Sequence, residues 1–340
     1  GGLNIPYVYN LENSNNAIKQ SRVLTEKAVN SLYGSAQIAY KNYLFVELTG
    51  RNDWSSTLPQ ENNSFFYPSI SAGLVYSDLL NLSKEAEKIF SFGKIRASIA
   101  AVGNDTDPYR LIPTYYIDTN DVYDTLANIT DIIPLKNLKP EQMVSKEIGT
   151  DMRFFQNRIG LDVTYYITNT YNQIVDIDIS STSGSRKAII NTGDIQNKGL
   201  EIQLNGKPVK SEKFEWSFML NYSKINSEVI KLAEGVSSYQ LLEHWGLSIE
   251  ARPGHPFGDI VGYGIQRDAN GNKLVDANGY YLRTDSTIVL GNIHPDFTLS
   301  FSNSMRYKNI SLNFLIDAKI GGELFAGTNM YGYGYSGNFT

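Results

Sequence analysis

The amino-acid sequence predicts an all-β protein whose antiparallel strands form a transmembrane barrel. Three observations lead to this fold class: apolar and polar residues alternate in about ten segments, very short turns alternate with long connections, and Tyr contributes 23 of the 340 residues. The mean hydropathy of −0.28 is compatible with a barrel, because only one face of each strand contacts lipid while the other lines a polar lumen. A soluble β-sandwich shares this composition, so the pattern of strands and connections has to decide between the two.

The clearest alternation lies in residues 213–223. Because successive side chains of a strand point to opposite faces, every second residue shares a face. One face spans nine residues and is wholly apolar or aromatic, close to the roughly 9–11 residues with which a tilted strand crosses a bilayer. Its members are Phe214, Trp216, Phe218, Leu220 and Tyr222. The same alternation predicts strands over 29–40, 43–51, 69–76, 92–102, 144–155, 158–168, 198–206, 296–306 and 310–320.

The connections between these segments fall into two classes. The short class comprises Lys41-Asn42, Gln156-Asn157, 307–309 and 206–212, and the long class comprises 52–68, 103–143, 169–197 and 224–295. Short periplasmic turns on one rim and long extracellular loops on the other are typical of outer-membrane barrels, whereas a sandwich has no reason to separate them in this way. The connection 77–91 departs from the rule, and its charged stretch Lys84–Lys88 predicts a short periplasmic helix.

The composition excludes several classes of protein. Without Cys, the chain has neither a disulfide framework nor a thiolate metal site. The net charge of −5, with the 30 basic residues spread along the chain, argues against a nucleic-acid partner. Gly1 to Asn4 are neither an initiator Met nor a signal peptide, and 336–340 resemble the middle of a loop. We therefore expect the numbering to lie within a longer protein.

Few residues suggest catalysis or metal binding. All three His residues lie in 224–295, and both His255 and His294 stand beside Gly or Pro, so we expect them in turns. The sequence carries no nucleophile elbow, no Walker-type loop and no His-Glu-x-x-His pattern. We therefore predict no catalytic residues, no cofactor and no bound metal.

One segment resembles a calcium loop in part. Between Asp268 and Asp276, oxygen-bearing side chains stand at alternate positions. A calcium loop has Gly at its sixth position and Glu at its twelfth, but these positions hold Lys273 and Gly279. The Asn-Gly pairs in the same segment are strong hairpin signals, so hairpin turns are the favoured interpretation.

Aromatic side chains in the long connections are the candidate ligand-binding residues. Such rings can stack on sugars or pack against peptide side chains, although loops that fold on one another also need aromatic cores. The candidates are Trp54, Tyr115, Tyr116, Tyr239, Trp245 and Tyr263.

A series of short motifs runs in order along nearly the whole chain. The motifs are Gly50 to Pro59 (GRNDWSSTLP), Phe66 to Ser69, Gly103 to Tyr109, Leu138 to Glu141, Glu147 to Gly149, Phe154 to Arg158, Asn172 to Ile174, Asn197 to Glu201 and His294 to Phe297. Together they resemble the SusC/RagA family of TonB-dependent outer-membrane importers. So many motifs in one order make the resemblance highly specific.

The resemblance implies a barrel of about 22 strands with an N-terminal plug, in the outer membrane of a Gram-negative bacterium. It also implies a SusD-like surface lipoprotein that closes over the barrel, and import driven by the TonB complex. Ten strands cannot close such a barrel, and no plug or TonB box is recognised in the sequence. We therefore expect residues 1–340 to be a partial barrel domain from the C-terminal half, in contact with outer-membrane lipid and with oligosaccharide or peptide cargo.

Two other functions compete with import. A cell-surface β-structural or adhesin-like binding domain without transport would share the strands and loops but would stay soluble without detergent. A barrel enzyme would need a nucleophile and a base, and the sequence offers no convincing pair. The motifs do not name the cargo, because glycan and peptide importers of this kind share the scaffold motifs and differ mainly in their loops.

Overall fold

A computed structural model describes residues 2–15, 24–80, 82–120, 123–244 and 246–332. In chain order the strands are β1 (Val29–Tyr40), β2 (Leu44–Ser55), β3 (Ser64–Val75), β4 (Phe90–Asn104), β5 (Tyr115–Asn120), β6 (Tyr123–Ile129), β7 (Ile132–Ile133), β8 (Glu141–Phe154), β9 (Ile159–Asp178), β10 (Lys187–Lys210), β11 (Phe214–Lys231), β12 (Tyr239–His244), β13 (Leu247–Ala251), β14 (Asp259–Gly262), β15 (Ile288–Asn292), β16 (Phe297–Tyr307) and β17 (Ile310–Ile320). The α-helices are α1 (Lys84–Ile89) and α2 (Gly327–Tyr331), and 3-10 turns lie at Leu11–Asn13, Tyr76–Asp78 and Ser181–Ser183. The predicted loop at 336–340 lies outside the described residues.

Ten strands pair into one antiparallel sheet in the order β1-β2-β3-β4-β8-β9-β10-β11-β16-β17. Each overlaps one of the ten segments predicted from the alternation, so the antiparallel all-β barrel prediction is confirmed. β7 adds two residues in parallel to the start of β10. The sheet is open among the described residues, as expected for part of a barrel wall.

The sheet has two chemically different faces. Val163 of β9 pairs with Thr150 of β8 and with Ile202 of β10, and alternate residues of each strand share its side. We call this side the outer face and the opposite side the lumen face. Large apolar side chains stand exposed across the outer face, among them Leu48, Ile70, Ile95, Ile99, Ile148, Leu312 and Ile316. A soluble protein rarely exposes so extensive an apolar surface, whereas contact with hydrocarbon requires it.

The short turns adopt the backbone conformation that their residues favour. Lys41 and Asn42 have positive φ (47° and 62°), as do Gln156 and Asn157 (57° and 64°). Positive φ at both central residues is the type I′ geometry that matches the twist of paired strands. Lys308, in the third predicted turn, has φ 53°. These turns all lie at one end of the sheet, as predicted.

Most strands of the sheet are longer than the alternation predicted, and β9 and β10 exceed it most. β9 continues from the predicted end at 168 to Asp178, and β10 begins at Lys187 rather than at 198. The predicted long segment 169–197 is therefore mostly strand, and its connection is only 179–186. The reason is that above the bilayer both faces contact water or other loops. The apolar–polar alternation stops there although the hydrogen-bonded ladder continues. β2 and β11 extend in the same way to Ser55 and Lys231.

The exceptional periplasmic connection contains the predicted helix. Ser83 is the N-cap of α1, and its Oγ accepts a hydrogen bond from the backbone N–H of Ala86 at 3.3 Å. Such a cap satisfies one of the free donors in the first turn. In the described part of the chain, no helix is long and apolar enough to cross a membrane.

The connection between β11 and β16 folds into a structure of its own. Strands β12, β13, β14 and β15 form a four-stranded antiparallel sheet. This sheet is tied to the end of β11, because Gly254 N–H donates to Val229 O at 2.8 Å and Val229 N–H donates to His255 O at 2.9 Å. Val229 and Ala251 are buried at this junction, with 0% and 1% of their surface exposed.

Candidate functional site: the lumen wall and the extracellular rim

A row of small polar side chains crosses the lumen face. The hydrogen-bond register places one such residue in each strand of the row except β4, which contributes Ala100. Neighbours bond to each other, as between Thr49 and Ser69 (2.6 Å) and between Ser145 and Thr168 (3.1 Å). The row comprises Ser35, Thr49, Ser69, Ala100, Ser145, Thr168, Asn197 and Ser227. It presents hydroxyl and amide groups that both donate and accept hydrogen bonds.

An ion pair lies on the same face. Arg96 of β4 reaches across β8 to Asp162 of β9, with its Nη1 and Nη2 donating to the two carboxylate oxygens at 2.8 and 2.7 Å. The β8 residue beneath the guanidinium is Gly149, which pairs with Arg96. A Cβ added there would lie 2.9 Å from Arg96 Cζ, so glycine leaves the room that the guanidinium needs. This contact explains the glycine of the Glu147–Gly149 motif.

The extracellular rim joins motifs that are far apart in sequence. Asp53, in the motif of residues 50–59, accepts a hydrogen bond from Arg51 Nε at 2.8 Å. Tyr67, in the motif of residues 66–69, donates its hydroxyl to the other carboxylate oxygen of Asp53. Arg51 also donates to Ser31 Oγ of β1 at 2.9 Å. The carboxylate of Asp53 therefore holds three neighbouring strands together where they leave the membrane.

A second buried carboxylate, Asp105, fixes the adjacent corner of the rim. Lys27 Nζ lies 2.5 Å from Asp105 Oδ1, and Ser55 donates its hydroxyl to Oδ2. The side chain of Asp105 is 9% exposed. Burial alone would raise the pKa of the Asp105 carboxyl, but the hydrogen bonds from Lys27 and Ser55 outweigh burial and hold the pKa below its usual range. The motif of residues 103–109 is thereby bonded to the motif of residues 50–59.

A small apolar core lies beneath the 103–143 connection. Leu138 is completely buried, and Leu58 and Ile189 are each 4% exposed. Partly buried Phe65, Leu111, Ile132, Leu135 and Ile174 pack against them. Asn191 fastens the connection to this core, because its side chain donates to Lys139 O at 2.9 Å and accepts from Lys139 N–H at 2.8 Å. Neither the Arg96–Asp162 pair nor this core was predicted from the sequence.

The candidate aromatic residues that the structure describes lie at separate points of the rim. Trp54 lies on the outer face of β2, on the same side as Leu48, and not towards the lumen. Tyr115 begins β5 and is 68% exposed. Tyr116 lies in β5, but its side chain is not described, and Trp245 lies outside the described residues. Tyr263 follows β14, and Arg283 Cζ lies 4.4 Å from its ring centroid.

Tyr239, the remaining candidate, lies beside a charged cluster. Burial raises the pKa of its hydroxyl, and the negative charges of Asp176 and Asp178 raise the pKa further. Arg110, from the 103–143 connection, pairs with Asp176. Where the described side chains are concerned, none of the candidates stacks on another, so the structure does not bring them together into one site. Arg110 and Asp176 were missed because nothing in the sequence pairs two connections that are more than sixty residues apart.

The segment with calcium-loop features forms hairpin turns, which confirms the favoured interpretation. Asp268 Oδ1 accepts hydrogen bonds from the backbone N–H groups of Asn270 (2.9 Å) and Asn272 (2.8 Å). The side chain of Asn272 and these backbone groups hold the pKa of the Asp268 carboxyl below its usual range. Gly271 and Gly279, the glycines of the two Asn-Gly pairs, have φ of 83° and 84°. The Asp268 carboxylate therefore serves the turn itself.

These turns build a compact projection, which we call the tyrosine loop (residues 264–284). Three segments bond in a closed ring: Leu274 N–H donates to Gln266 O (2.9 Å), Leu282 N–H to Leu274 O (3.0 Å) and Gln266 N–H to Leu282 O (2.7 Å). Tyr280 and Tyr281 on this loop are 73% and 59% exposed.

His255 and His294 lie in turns, as predicted. His255 is in the turn before β14, with its Nδ1 3.2 Å from Asp259 Oδ2, and His294 is in the bend before β16. Among the residues that the structure describes, no group of three or more His, Asp or Glu side chains is arranged to hold a metal ion.

The arrangement of strands, turns and rim motifs can be compared with known proteins. A family model described as TonB dependent receptor-like, beta-barrel, matches residues 3–314. The chain belongs to this family. It is therefore an outer-membrane β-barrel chain, and its resemblance to the SusC/RagA transporters is confirmed by the relatives.

Two relatives are similar along most of the chain. TonB-dependent receptor P3 of Formosa agariphila is 28% identical over 354 residues, which cover 93% of this chain and 34% of the relative. TonB-dependent receptor SusC of Bacteroides thetaiotaomicron is 23% identical over 335 residues, covering 90% of this chain and 32% of the relative. Both relatives are TonB-dependent receptors.

A solved structure of the RagAB peptide transporter has the same fold. Its TM-score is 0.75 at 19% sequence identity, and the match covers 92% of this chain and 36% of that chain. The chain thus spans about a third of the length of the proteins that it matches.

Proposed function

We propose that this chain is part of the barrel wall of a SusC-like, TonB-dependent importer that carries oligosaccharide or peptide across the outer membrane and has no catalytic activity. In this proposal residues 1–340 are a partial barrel domain, and the plug and the TonB box belong to other parts of the transporter. A SusD-like lipoprotein covers the extracellular rim, and the TonB complex supplies the energy for uptake.

The observation that carries this proposal is the family match over residues 3–314, together with the similarity to SusC and to the RagAB peptide transporter. A cell-surface binding domain without transport would bury the apolar face of its sheet in a core. In this chain the apolar outer face is exposed instead, as lipid contact requires, while the lumen face carries the row of small polar side chains.

The chemistry of the lumen wall supports a polar cargo. Hydroxyl and amide groups bond equally well to sugar hydroxyls and to peptide groups. The strong charges of Arg96 and Asp162 neutralise each other on the wall, so this pair offers no preference for a charged cargo. This wall therefore fits both cargo classes that the sequence left open.

The rim supports contact with cargo or with the lid. The tyrosine loop exposes Tyr280 and Tyr281, and exposed aromatic rings supply contact area at a small loss of side-chain freedom. We propose that Tyr115, Tyr239 and Tyr263, with Tyr116 and Trp245 from the sequence, contribute to the same surface. Trp54, on the outer face, is proposed to contact the edge of the lid instead of cargo inside the barrel.

The test replaces residues 267–281 of the intact transporter by two glycines. Gln266 and Leu282 are already hydrogen-bonded to each other, so this excision removes the exposed loop while its ends stay in place. Uptake of the native glycan or peptide should fall, while the barrel still assembles and resists unfolding in detergent. The control changes the periplasmic turn Lys41-Asn42 to Asn-Gly, which keeps the turn geometry and should leave uptake intact.

Unchanged uptake after the excision would remove the loop from the proposed surface. A second measurement addresses transport itself. Cells without a working TonB complex should bind cargo but not accumulate it. Equal accumulation with and without TonB would contradict import and would favour a binding domain.

A further inference from the structure

Three lysines lie on the outer face, where contact with hydrocarbon disfavours charge. Lys146 of β8 pairs with Ile167 of β9, and Lys198 of β10 pairs with Ile167 from the other side. Lys224 of β11 pairs with Leu200 of β10. Because paired residues share a face, the register places all three lysines among the apolar residues and not in the lumen. We call them the lysine belt.

The lysine belt lies near the extracellular edge of the membrane. Lys146 is eight residues from Phe154, where β8 ends at the periplasmic turn. At roughly 3.3 Å per residue and a tilt of about 40°, eight residues rise roughly 20 Å. The apolar band of an outer-membrane barrel is about 25 Å tall. The ammonium groups are therefore within reach of the outer-leaflet headgroups.

Within the described part of the chain, no acidic side chain neutralises the belt. All three lysines are exposed, and no hydrogen bond or ion pair joins them to any residue that the structure describes. On the outer face of β10 and β11, the carboxylates nearest to the belt are Asp194 and Glu228, which lie further from the membrane. Asp194 already accepts a hydrogen bond from Asn169. At the level of the belt, the positive charge is uncompensated.

An apolar groove descends the outer face from Lys146. Its floor is formed by Ala72 and Ala97, which pair across β3 and β4, and its volume is about 510 Å³. Its walls are Ile70, Ile99, Ile148, Tyr165 and Ile167. The short side chains of the floor and the larger ones of the walls form a shallow groove, open to the lipid, in which a hydrocarbon chain can lie.

We propose that the groove and the lysine belt bind one outer-leaflet lipid with a phosphate-bearing headgroup. One acyl chain lies over Ala72 and Ala97, and Lys146 donates to a headgroup phosphate at the top of the groove. Strands are about 4.8 Å apart, so Lys146 and Lys198, two strands apart, start roughly 10 Å from each other. A headgroup with two phosphates spans that distance. The inference rests on the membrane location of the outer face and is independent of the cargo.

The test uses the intact transporter in nanodiscs of phosphatidylcholine that contain a small fraction of diphosphorylated lipid A. The number of lipid A molecules that the protein retains is measured by native mass spectrometry across a titration. Each of Lys146→Gln, Lys198→Gln and Lys224→Gln should weaken retention about fivefold, as expected for the loss of one lysine near an anionic headgroup. Lys146→Arg, which keeps the charge, should retain the lipid.

Matched variants on the lumen face act as controls. Lys94→Gln removes the same charge from the lumen face, where Lys94 pairs with Asp151, and should leave retention unchanged. Ala97→Leu fills the groove and should weaken retention, whereas Ala100→Leu, on the lumen face, should not. Inorganic phosphate at millimolar concentration should fail to displace the lipid, because it has no acyl chain for the groove.

Three results would overturn the proposal. Equal retention by the belt variants and the unmodified protein would show that the lysines bind no lipid. Displacement by inorganic phosphate would identify free phosphate as the ligand. A change of oligomeric state in Lys146→Gln, with lipid retention unchanged, would mean that a second copy of the protein covers this face.

Discussion

Val163→Arg in the intact transporter should destabilise the barrel by roughly 2–4 kcal/mol. Val163 lies on the outer face between Thr150 and Ile202. It is four residues from Ile159, where β9 begins, which places it roughly 10 Å above the periplasmic end of a band about 25 Å tall. A guanidinium at this position is near the middle of the hydrocarbon, where neither interface is close.

Ile99→Arg should cost much less, roughly 0–1 kcal/mol, because the cost of a charge on a barrel surface falls towards the interface. Ile99 lies on the same face as Val163, but it pairs with Lys146 and so stands at the level of the lysine belt. Asp162→Asn, on the lumen face, breaks the ion pair with Arg96. The side chain of Asp162 is 34% exposed and that of Arg96 is 40% exposed. Exposure weakens such a pair, so its loss should cost about 0.2–1 kcal/mol.

The three variants are compared by urea unfolding in lipid vesicles. The dependence of the unfolding free energy on urea concentration (the m-value) is fixed to the same value for all three. The expected order of destabilisation is Val163→Arg first, with Ile99→Arg and Asp162→Asn both far behind. If Val163→Arg costs no more than Ile99→Arg, the assignment of depth along β9 is wrong.

Three further predictions concern the rim and the lumen wall. The pKa of Asp105 is lowered in the folded protein, so its contribution to stability is present above the unfolded pKa, near 3.9, and is lost as the pH falls through the lower folded value. Limited proteolysis of the rim should therefore be faster at pH 3 than at pH 7. The Asp105→Asn variant should be cut readily already at pH 7. Equal rates of cutting for the variant and the unmodified protein at pH 7 would refute this. Leu138→Ala should weaken the packing of the 103–143 connection by about 2–5 kcal/mol, seen as faster amide exchange there, while Ile112→Ala, at 64% exposed, serves as the neutral control. Gly149→Ala should displace Arg96 and lower stability, whereas Gly34→Ala, with open space around the added Cβ, should cost little; equal effects would show that the crossing guanidinium does not need glycine.

The membrane-spanning part of the strands could be predicted because the bilayer imposes a pattern on the sequence. Between the turn at Gln156-Asn157 and residue 168, each outward residue must be apolar and each inward one can be polar, so the alternation marks the strand. Beyond Asn169 that requirement ends, and Asp176 and Asp178 stand in a strand that no longer alternates. The ends of β9 and β10 follow from backbone pairing instead, which sequence pattern does not report.

The contacts of the site depend on register, and this is why they were missed. Arg96 and Asp162 were separately recognisable as polar residues of two strands. Their meeting across Gly149 depends on how β4, β8 and β9 are aligned. Leu138 lies in a connection without periodicity, so nothing in the sequence marked it as buried. The aromatic candidates were found by residue type and position in long connections, which does not show the direction of a side chain such as Trp54.

Contact of the outer face with lipid is tested by comparing two adjacent positions of β9. A fluorophore is attached to Val163→Cys or to Asp162→Cys in the intact transporter, and the protein is placed in lipid with brominated acyl chains. These 340 residues contain no Cys of their own, so each label in this region has one site. We expect strong quenching at 163 and little at 162, because neighbouring residues of a strand face opposite sides. A label at 163 that is shielded from the brominated chains, and buried against protein instead, would contradict the transmembrane barrel.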